Sequence, residues 1–262
     1  TEIASYIDWT PFFQTWELHG IYPKILQDEI VGEEARKLFQ DAQEMLNKAL
    51  ANNWLDVKAV FGIWQANSID DDIFIYDKNE ELLEVSHCLR QQSKKSAKAF
   101  NISLADFIAP KSSGFKDFIG AFVVTAGSNI DKIAKKFEAE LDDYNSIMIK
   151  ALSDRMAEAL AEYLHEKVRK LYWGYNNEEQ LTNDELIKEK YQGIRPAPGY
   201  PACPDHTEKE TIFKLLDATN KVGVELTESL AMSPVSSVSG WYFSHPASKY
   251  FGLGKIKMDQ VE

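Results

Sequence analysis

Gly193-Ile194-Arg195-Pro196-Ala197-Pro198-Gly199-Tyr200-Pro201-Ala202-Cys203-Pro204-Asp205-His206-Thr207-Glu208 is the stretch around which the rest of the chain is read. Four of the chain's 9 prolines fall between Pro196 and Pro204. Each proline locks φ near −65° and pushes its predecessor toward extended geometry. The segment can therefore be neither a helix nor an interior strand. It reads as a stiff extended rail with one permissive joint, Gly199. Proline also removes an N–H donor, so carbonyls predominate along the rail. Rigid irregular backbone loses little entropy on binding, which suits a preorganised ligand site. Arg195 supplies a fixed fork that matches a carboxylate, and Tyr200 a ring and a hydroxyl. Asp205-x-x-Glu208 reads as a helix start with an acidic cap. A plain proline-rich connector is the alternative.

Composition narrows the classes. The chain has 262 residues, 44% of them hydrophobic and 27% charged, enough for one large or two small globular units. A net charge of −12 argues against a nucleic-acid partner, whose phosphates would be repelled. No apolar run reaches bilayer-spanning length, so no membrane association is expected. No secretory signal is read, and the chain begins at Thr1. Cys88 and Cys203, far apart in sequence, read as reduced thiols, which points to a cytoplasmic protein.

Residues 1–30 are aromatic and irregular, a segment that wraps a surface. Glu33 to about Asn52 has helical apolar spacing. Val57 to Gln65 is a strand candidate. Ile73 to Tyr76 and Leu82 to Leu89 make a hairpin around Asp77-Lys78-Asn79-Glu80. Leu104 to Ile108 reads as a short strand, and Phe118 to Thr125 as a nearly continuous apolar central strand. A helix is expected from about Asn129 or Asp131 through Phe137. The longest helix runs from Ser146 to about Trp173, with Met148, Leu152, Met156, Ala159, Leu160, Tyr163, Leu164, Val168 and Leu171 on one stripe. Further helices are expected over about Asn183 to Tyr191 and Thr207 to Thr219. Three strands follow: Val224 to Met232, Val238 to Phe243 and Tyr250 to Ile256. Strands and helices do not alternate as βαβ units. The reading is α+β, a largely antiparallel twisted sheet flanked by helices. Residues 1–262 are expected to form one module with an N-terminal aromatic and helical arm over about 1–52.

Metal chemistry is poorly supported. Glu84 and His87 fall on a strand, where i and i+3 face opposite sides, so they do not match the helical pair Glu162 and His165. Cys203-x-x-His206 is half a zinc site without a second half. Gly252-x-Gly254 lacks the strand and helix of a dinucleotide fingerprint. Glu158 lies at the edge of the long helix's apolar stripe, as a solvated acid or a partner for Arg155. Asp8, inside Asp8-Trp9-Thr10-Pro11-Phe12-Phe13, reads on composition alone as a solvated acid or a local turn cap.

Gly193-Ile-Arg-Pro-Ala-Pro-Gly-Tyr-Pro-x-x-Pro-Asp-His-Thr-Glu-Lys209 closely resembles the signature of the activation domain of cobalamin-dependent methionine synthase. So do Asp8-Trp-x-Pro-Phe-Phe13 and Ser239-Gly-x-Tyr-Phe-Ser-x-x-x-Ser-Lys-Tyr-Phe251. Trp64-Gln-Ala-Asn-Ser68, Leu89-Arg-Gln-Gln92, Ala105-Asp-Phe-Ile-Ala-Pro110, Asp142-Asp-Tyr-Asn-Ser-Ile-Met148 and Leu226-Thr-Glu-Ser229 extend the resemblance over the whole length. It implies a non-Rossmann fold that binds S-adenosylmethionine through Asp8, Glu158, Arg195, Ala197, Tyr200, Tyr250 and Phe251. It implies a C-terminal reactivation module, a part of a methyltransferase of methionine biosynthesis. That module presents the methyl of S-adenosylmethionine for reductive methylation of cob(II)alamin. No catalytic acid or base and no metal ligand is expected in it. The cobalamin (vitamin B12) would sit in another domain of the same polypeptide, since the family's Asp-x-His-x-x-Gly motif is absent here. Flavodoxin or a flavoprotein reductase would supply the electron, with Lys94, Lys95 and Lys98 as a docking patch on an expected monomer. An S-adenosylmethionine sensor or a docking module without methyl transfer is the alternative.

Overall fold

A computed structural model describes residues 2–93, 100–256 and 258. The expected patch Lys94, Lys95 and Lys98 lies outside the described residues. The chain opens with a short helix α1 (Thr10–Thr15) among 3₁₀ turns, then α2 (Gly32–Ala51). Strands β1 (Lys58–Ile69), β2 (Asp72–Tyr76) and β3 (Leu82–His87) follow, then β4 (Asp117–Thr125). Next come α3 (Ile130–Ala139), α4 (Asp143–Lys167) and α5 (Asn183–Ile187). The rail leads to α6 (Glu208–Leu216) and α7 (Ala218–Val222), the small ribbon β5 (Glu225–Leu226) and β6 (Met232–Ser233), and β7 (Ser237–Tyr242).

The main sheet is five-stranded, in the order β3-β2-β1-β4-β7, and every pair is antiparallel. This is the expected α+β architecture. Alternation along the strands splits the core in two. Ala66, Ile73, Ile75, Ile119, Ala121, Val123 and Trp241 bury one face against α6, α7 and the turn at Leu104–Phe107. Phe122, Val124 and Tyr242 bury the other against Leu160, Ala161 and Leu164 of α4. β4 reads as continuously apolar because both its faces are covered. A third cluster joins the N-terminal arm (Trp9, Phe12, Phe13) to α2, α3 and the first half of α4.

Several expectations fail. Leu104–Phe107 is a 3₁₀ turn rather than a strand, because Ser103 and Asp106 close a capping box around it. Val224 to Met232 is not one strand: the chain turns at Thr227, where Leu230 N–H donates to Thr227 O at 2.8 Å, and returns as β6. Tyr250 to Ile256 is irregular because the sheet edge it would need is already taken. The rail occupies that edge: Ile194 and Phe243 exchange both backbone hydrogen bonds at 3.0 Å, and Trp241 N–H donates to Pro196 O at 3.0 Å. An edge position is where a proline-rich segment can sit, since its missing donors face away from the ladder. Finally, Asp205 and Glu208 do not form the expected cap. Asp205 accepts from Thr207 N–H at 2.8 Å, while Glu208 is buried and accepts from the Ser86 hydroxyl at 2.5 Å and His87 N–H at 2.9 Å.

Candidate functional site

The rail is fixed at both of its glycines. Gly193 has φ +90°, and a Cβ there would lie 2.5 Å from Phe243 O. Gly199 has φ +97°, and a Cβ there would lie 2.5 Å from the His206 ring. Beyond Pro198 the rail folds on itself. Gly199 N–H donates to Cys203 O at 2.7 Å and Cys203 N–H to Tyr200 O at 2.9 Å. His206 is held in turn by the Lys209 ammonium, 2.9 Å from its Nδ1.

Between the rail, α4 and the C-terminal loop lies a cleft of ≈580 Å³. Glu158, Arg195, Ala197, Tyr200, Tyr250 and Phe251 all line it. Asp8 lines an adjoining cavity of ≈220 Å³ that shares Glu158, Glu189 and Arg195 with the first. Six of the seven expected residues, from three distant segments, thus line the cleft, and the seventh, Asp8, lines the adjoining cavity; the two cavities, with their shared wall of Glu158, Glu189 and Arg195, together form the groove. Phe122 and Val238 of the sheet form its apolar floor.

Arg195 is committed on one side only. Its Nη1 donates to Glu162 Oε2 at 2.6 Å and reaches Tyr191 OH at 3.4 Å. Among the described residues Nε and Nη2 have no protein partner, and neither is sealed from solvent. That edge is the side-on fork that grips a carboxylate in two parallel bonds. Burial works against the Arg195 charge, but Glu162 together with Tyr191 and Tyr250 outweighs it, and the guanidinium is held cationic. Tyr250 OH accepts the Arg195 backbone N–H at 3.1 Å, tying the C-terminal loop to the rail. Burial raises the Tyr250 phenol above its usual value, so it stays protonated and can also donate. Asp8 Oδ1 accepts from Thr10 N–H at 2.9 Å, so the turn role and a place on the groove coexist.

Two residues of the groove escape the sequence reading. Glu189 lines both cavities, and desolvation raises its carboxyl, with Arg195 opposing. It stands in Lys188-Glu189-Lys190, which reads as a solvated charge run; only its nearness to Arg195 in sequence hinted at a role. Glu162 was visible only as half of a Glu-x-x-His pair. Its neighbour His165 is fully buried, stacked on Tyr242 at 5.0 Å. The other pair is occupied too: Glu84 is paired with Lys214, and His87 Nδ1 lies 2.9 Å from Asp72. Cys88 and Cys203 are free thiols, and burial pushes Cys203 up to about 12.

An antiparallel sheet edged by a proline rail, with one open guanidinium fork among acids, defines an α+β ligand-binding module outside the Rossmann class. The chain matches, over residues 1–262, the family described as vitamin B12 dependent methionine synthase, activation domain, and it belongs to that family. It is also similar to a solved structure described as the MetH reactivation domain bound to AdoHcy. The two share 59% identity, with a TM-score of 0.96, over 99% of this chain and 80% of that one.

Proposed function

We propose that this chain binds S-adenosylmethionine in the groove and holds its methyl group for the reductive methylation of cob(II)alamin. The observation that carries this reading is the pairing of an open Arg195 fork with an excess of acid around it. Arg195 is balanced by Glu162, which leaves Asp8, Glu158 and Glu189 opposite one further cation among the described residues lining the two cavities, Arg155. Such a groove favours a ligand that carries one carboxylate yet is positive overall. S-Adenosylmethionine, with its carboxylate, ammonium and sulfonium, has that charge pattern. Similarity to a domain whose structure holds AdoHcy supports the same reading.

When bound, this ligand supplies an electrophilic methyl group; the chain's own residues bind and orient. Arg195 grips the carboxylate through Nε and Nη2. Asp8, Glu158 and Glu189 balance the ammonium and sulfonium. The backbone about Ala197 meets the adenosine edge, with Tyr200, Tyr250 and Phe251 around it. No general base is required, because a reduced cobalt centre is itself the nucleophile and no proton moves. Orientation is the module's contribution. The cobalamin is assigned to a separate domain of the same polypeptide and the electron to flavodoxin or a flavoprotein reductase, with residues 1–262 acting as one cytoplasmic, monomeric module.

Truncating one member of a desolvated charge pair costs roughly 2–5 kcal/mol. Arg195→Ala is therefore expected to weaken S-adenosylmethionine by about 30-fold or more, at about 1.4 kcal/mol per tenfold. Titration calorimetry on both proteins measures this. Unchanged affinity in the variant removes Arg195 from the reading, and no binding to the parent removes the reading itself.

A further inference from the structure

Behind Arg195 lies a buried polar ladder, of which the binding reading uses only the charge balance between Arg195 and Glu162. Glu162 sits on α4 between two guanidiniums. Its Oε2 accepts from Arg195 Nη1 at 2.6 Å, and its Oε1 faces Arg169 Nη1 at 3.9 Å. Arg169 is fully buried in the single π-helical turn that ends α4 (Val168–Tyr172). Glu179 clamps it through three contacts: Nε at 3.2 and 2.9 Å and Nη2 at 2.7 Å. Tyr191 spans the two arginines. Its ring lies 4.0 Å from the Arg169 guanidinium carbon, and its hydroxyl takes Arg195 Nη1.

Two carboxylates and two guanidiniums make the ladder neutral, so it adds no attraction for an anion. Its geometry has another consequence. An arginine side chain left to itself samples many rotamers, and a ligand must then order it on binding. Here Nη1 is fixed on the inner side, which turns the opposite edge, Nε and Nη2, toward the groove. Glu162 therefore determines which face of the fork a ligand meets. A π-turn, a conformation that recurs at functional sites, delivers the Arg169 that backs it.

We propose that Glu162 is a positioning residue for Arg195, kept in place by the Arg169–Glu179 pair, and that it sets affinity for the carboxylate of the ligand. This rests on the reading of Arg195 as the carboxylate-gripping group. Glu162 lines the smaller cavity, but its part in holding the carboxylate is through Arg195, whose inner nitrogen it fixes.

The test compares the parent chain with Glu162→Asp and Glu179→Gln. Aspartate keeps the charge and withdraws the carboxylate by one methylene. Each protein is titrated with S-adenosylmethionine and with its decarboxylated analogue, after circular-dichroism melts verify folding. Glu162→Asp is expected to bind S-adenosylmethionine about tenfold more weakly, and the decarboxylated analogue within about twofold of the parent. Glu179→Gln, a remote change, is expected to lose about threefold on the same ligand alone, and it decides the matter if Glu162→Asp does not fold. Equal losses on both ligands, or none, overturn the proposal. If the parent binds neither ligand, the binding reading fails instead. The guanidinium ¹⁵N resonances of Arg195 then still decide: slow rotation in the parent and fast rotation in Glu162→Asp support positioning, and identical behaviour rejects it.

Discussion

Gly199 shows how much of the groove depends on one absent side chain. At φ +97° an L-residue is strained, and a Cβ would also press on the His206 ring, which Lys209 holds from behind. The strain alone costs roughly 1–3 kcal/mol. Gly199→Ala is expected to lower stability by about that amount in denaturant titrations. It should also weaken S-adenosylmethionine, because Tyr200 follows directly and the rail's return contact, Gly199 N–H to Cys203 O, would move. A variant with parent stability and parent affinity would show the joint to be dispensable. At this scale the sequence was informative where a residue type has few uses. Proline density marked the rail, and a glycine within it marked the joint. Glu162 and Glu189 were opaque for the opposite reason: glutamate on a helix or in a charge run has a solvated role by default, and only tertiary packing distinguishes these two.

Helix α4 organises the site at the next scale up. Glu158 reaches the groove, and Glu162, His165 and Arg169 follow at steps of four, three and four residues, along one face. The apolar stripe predicted from the sequence is buried from Met148 to Val168 apart from Tyr163, which is partly covered. It fails at Leu171, which is 68% exposed. The π-turn shifts the helical register there, and period counting assumes one register throughout. Removing Arg169 would leave Glu179 buried without its partner. Arg169→Ala is therefore expected to destabilise by about 3–5 kcal/mol, read as a fall in Tm. His165 gives the same helix a pH dependence. Burial holds its imidazole neutral, well below the usual histidine value, and the charges of Arg169 and Arg195 add to this. Below about pH 6.5 the unfolded chain binds a proton that the folded chain refuses, so stability falls by about 1.4 kcal/mol per pH unit. Glu208 opposes this in the window just above its ordinary value, because burial raises its carboxyl and the folded form keeps the proton longer. Comparing His165→Gln with the parent isolates the histidine. Between pH 7 and pH 5 the variant should lose about 2 kcal/mol less stability than the parent. Equal losses would mean that His165 titrates freely.

Across the whole molecule, the groove exists because the sheet stops one strand short of where the sequence reading ended it. Placing a strand at Tyr250 to Ile256 follows from its aromatic pattern, but strand order is set by which edge is free, and local sequence carries no record of that. The rail claims the edge beside β7, and the displaced C-terminal loop is pinned elsewhere, with Gln92 N–H donating to Leu253 O at 2.7 Å and the Gln91 side chain to Gly252 O at 2.9 Å. The backbone at Tyr250 and Phe251 consequently does not join the rail as a strand; it meets the rail through the Tyr250 hydroxyl on Arg195 N–H, and the space left between the two segments is the cleft. One wall stays open, with Tyr200 64% exposed at the rim. An open wall is what a methyl donor needs if its acceptor arrives on another domain, since the attacking centre must approach in line with the sulfur–methyl bond. The chain alone is therefore expected to bind S-adenosylmethionine and transfer nothing. Adding a cobalamin-binding domain and a one-electron reductant should move labelled methyl onto cobalamin, with S-adenosylhomocysteine released in equal amount. On the proposed role of Arg195 as the grip on the carboxylate, clear of the methyl, Arg195→Ala should slow this at low ligand concentration and recover toward the parent rate at saturation. Binding without any label on cobalamin, under conditions where the cobalamin domain is shown to be reduced, would make this module a sensor of its ligand instead of a donor site.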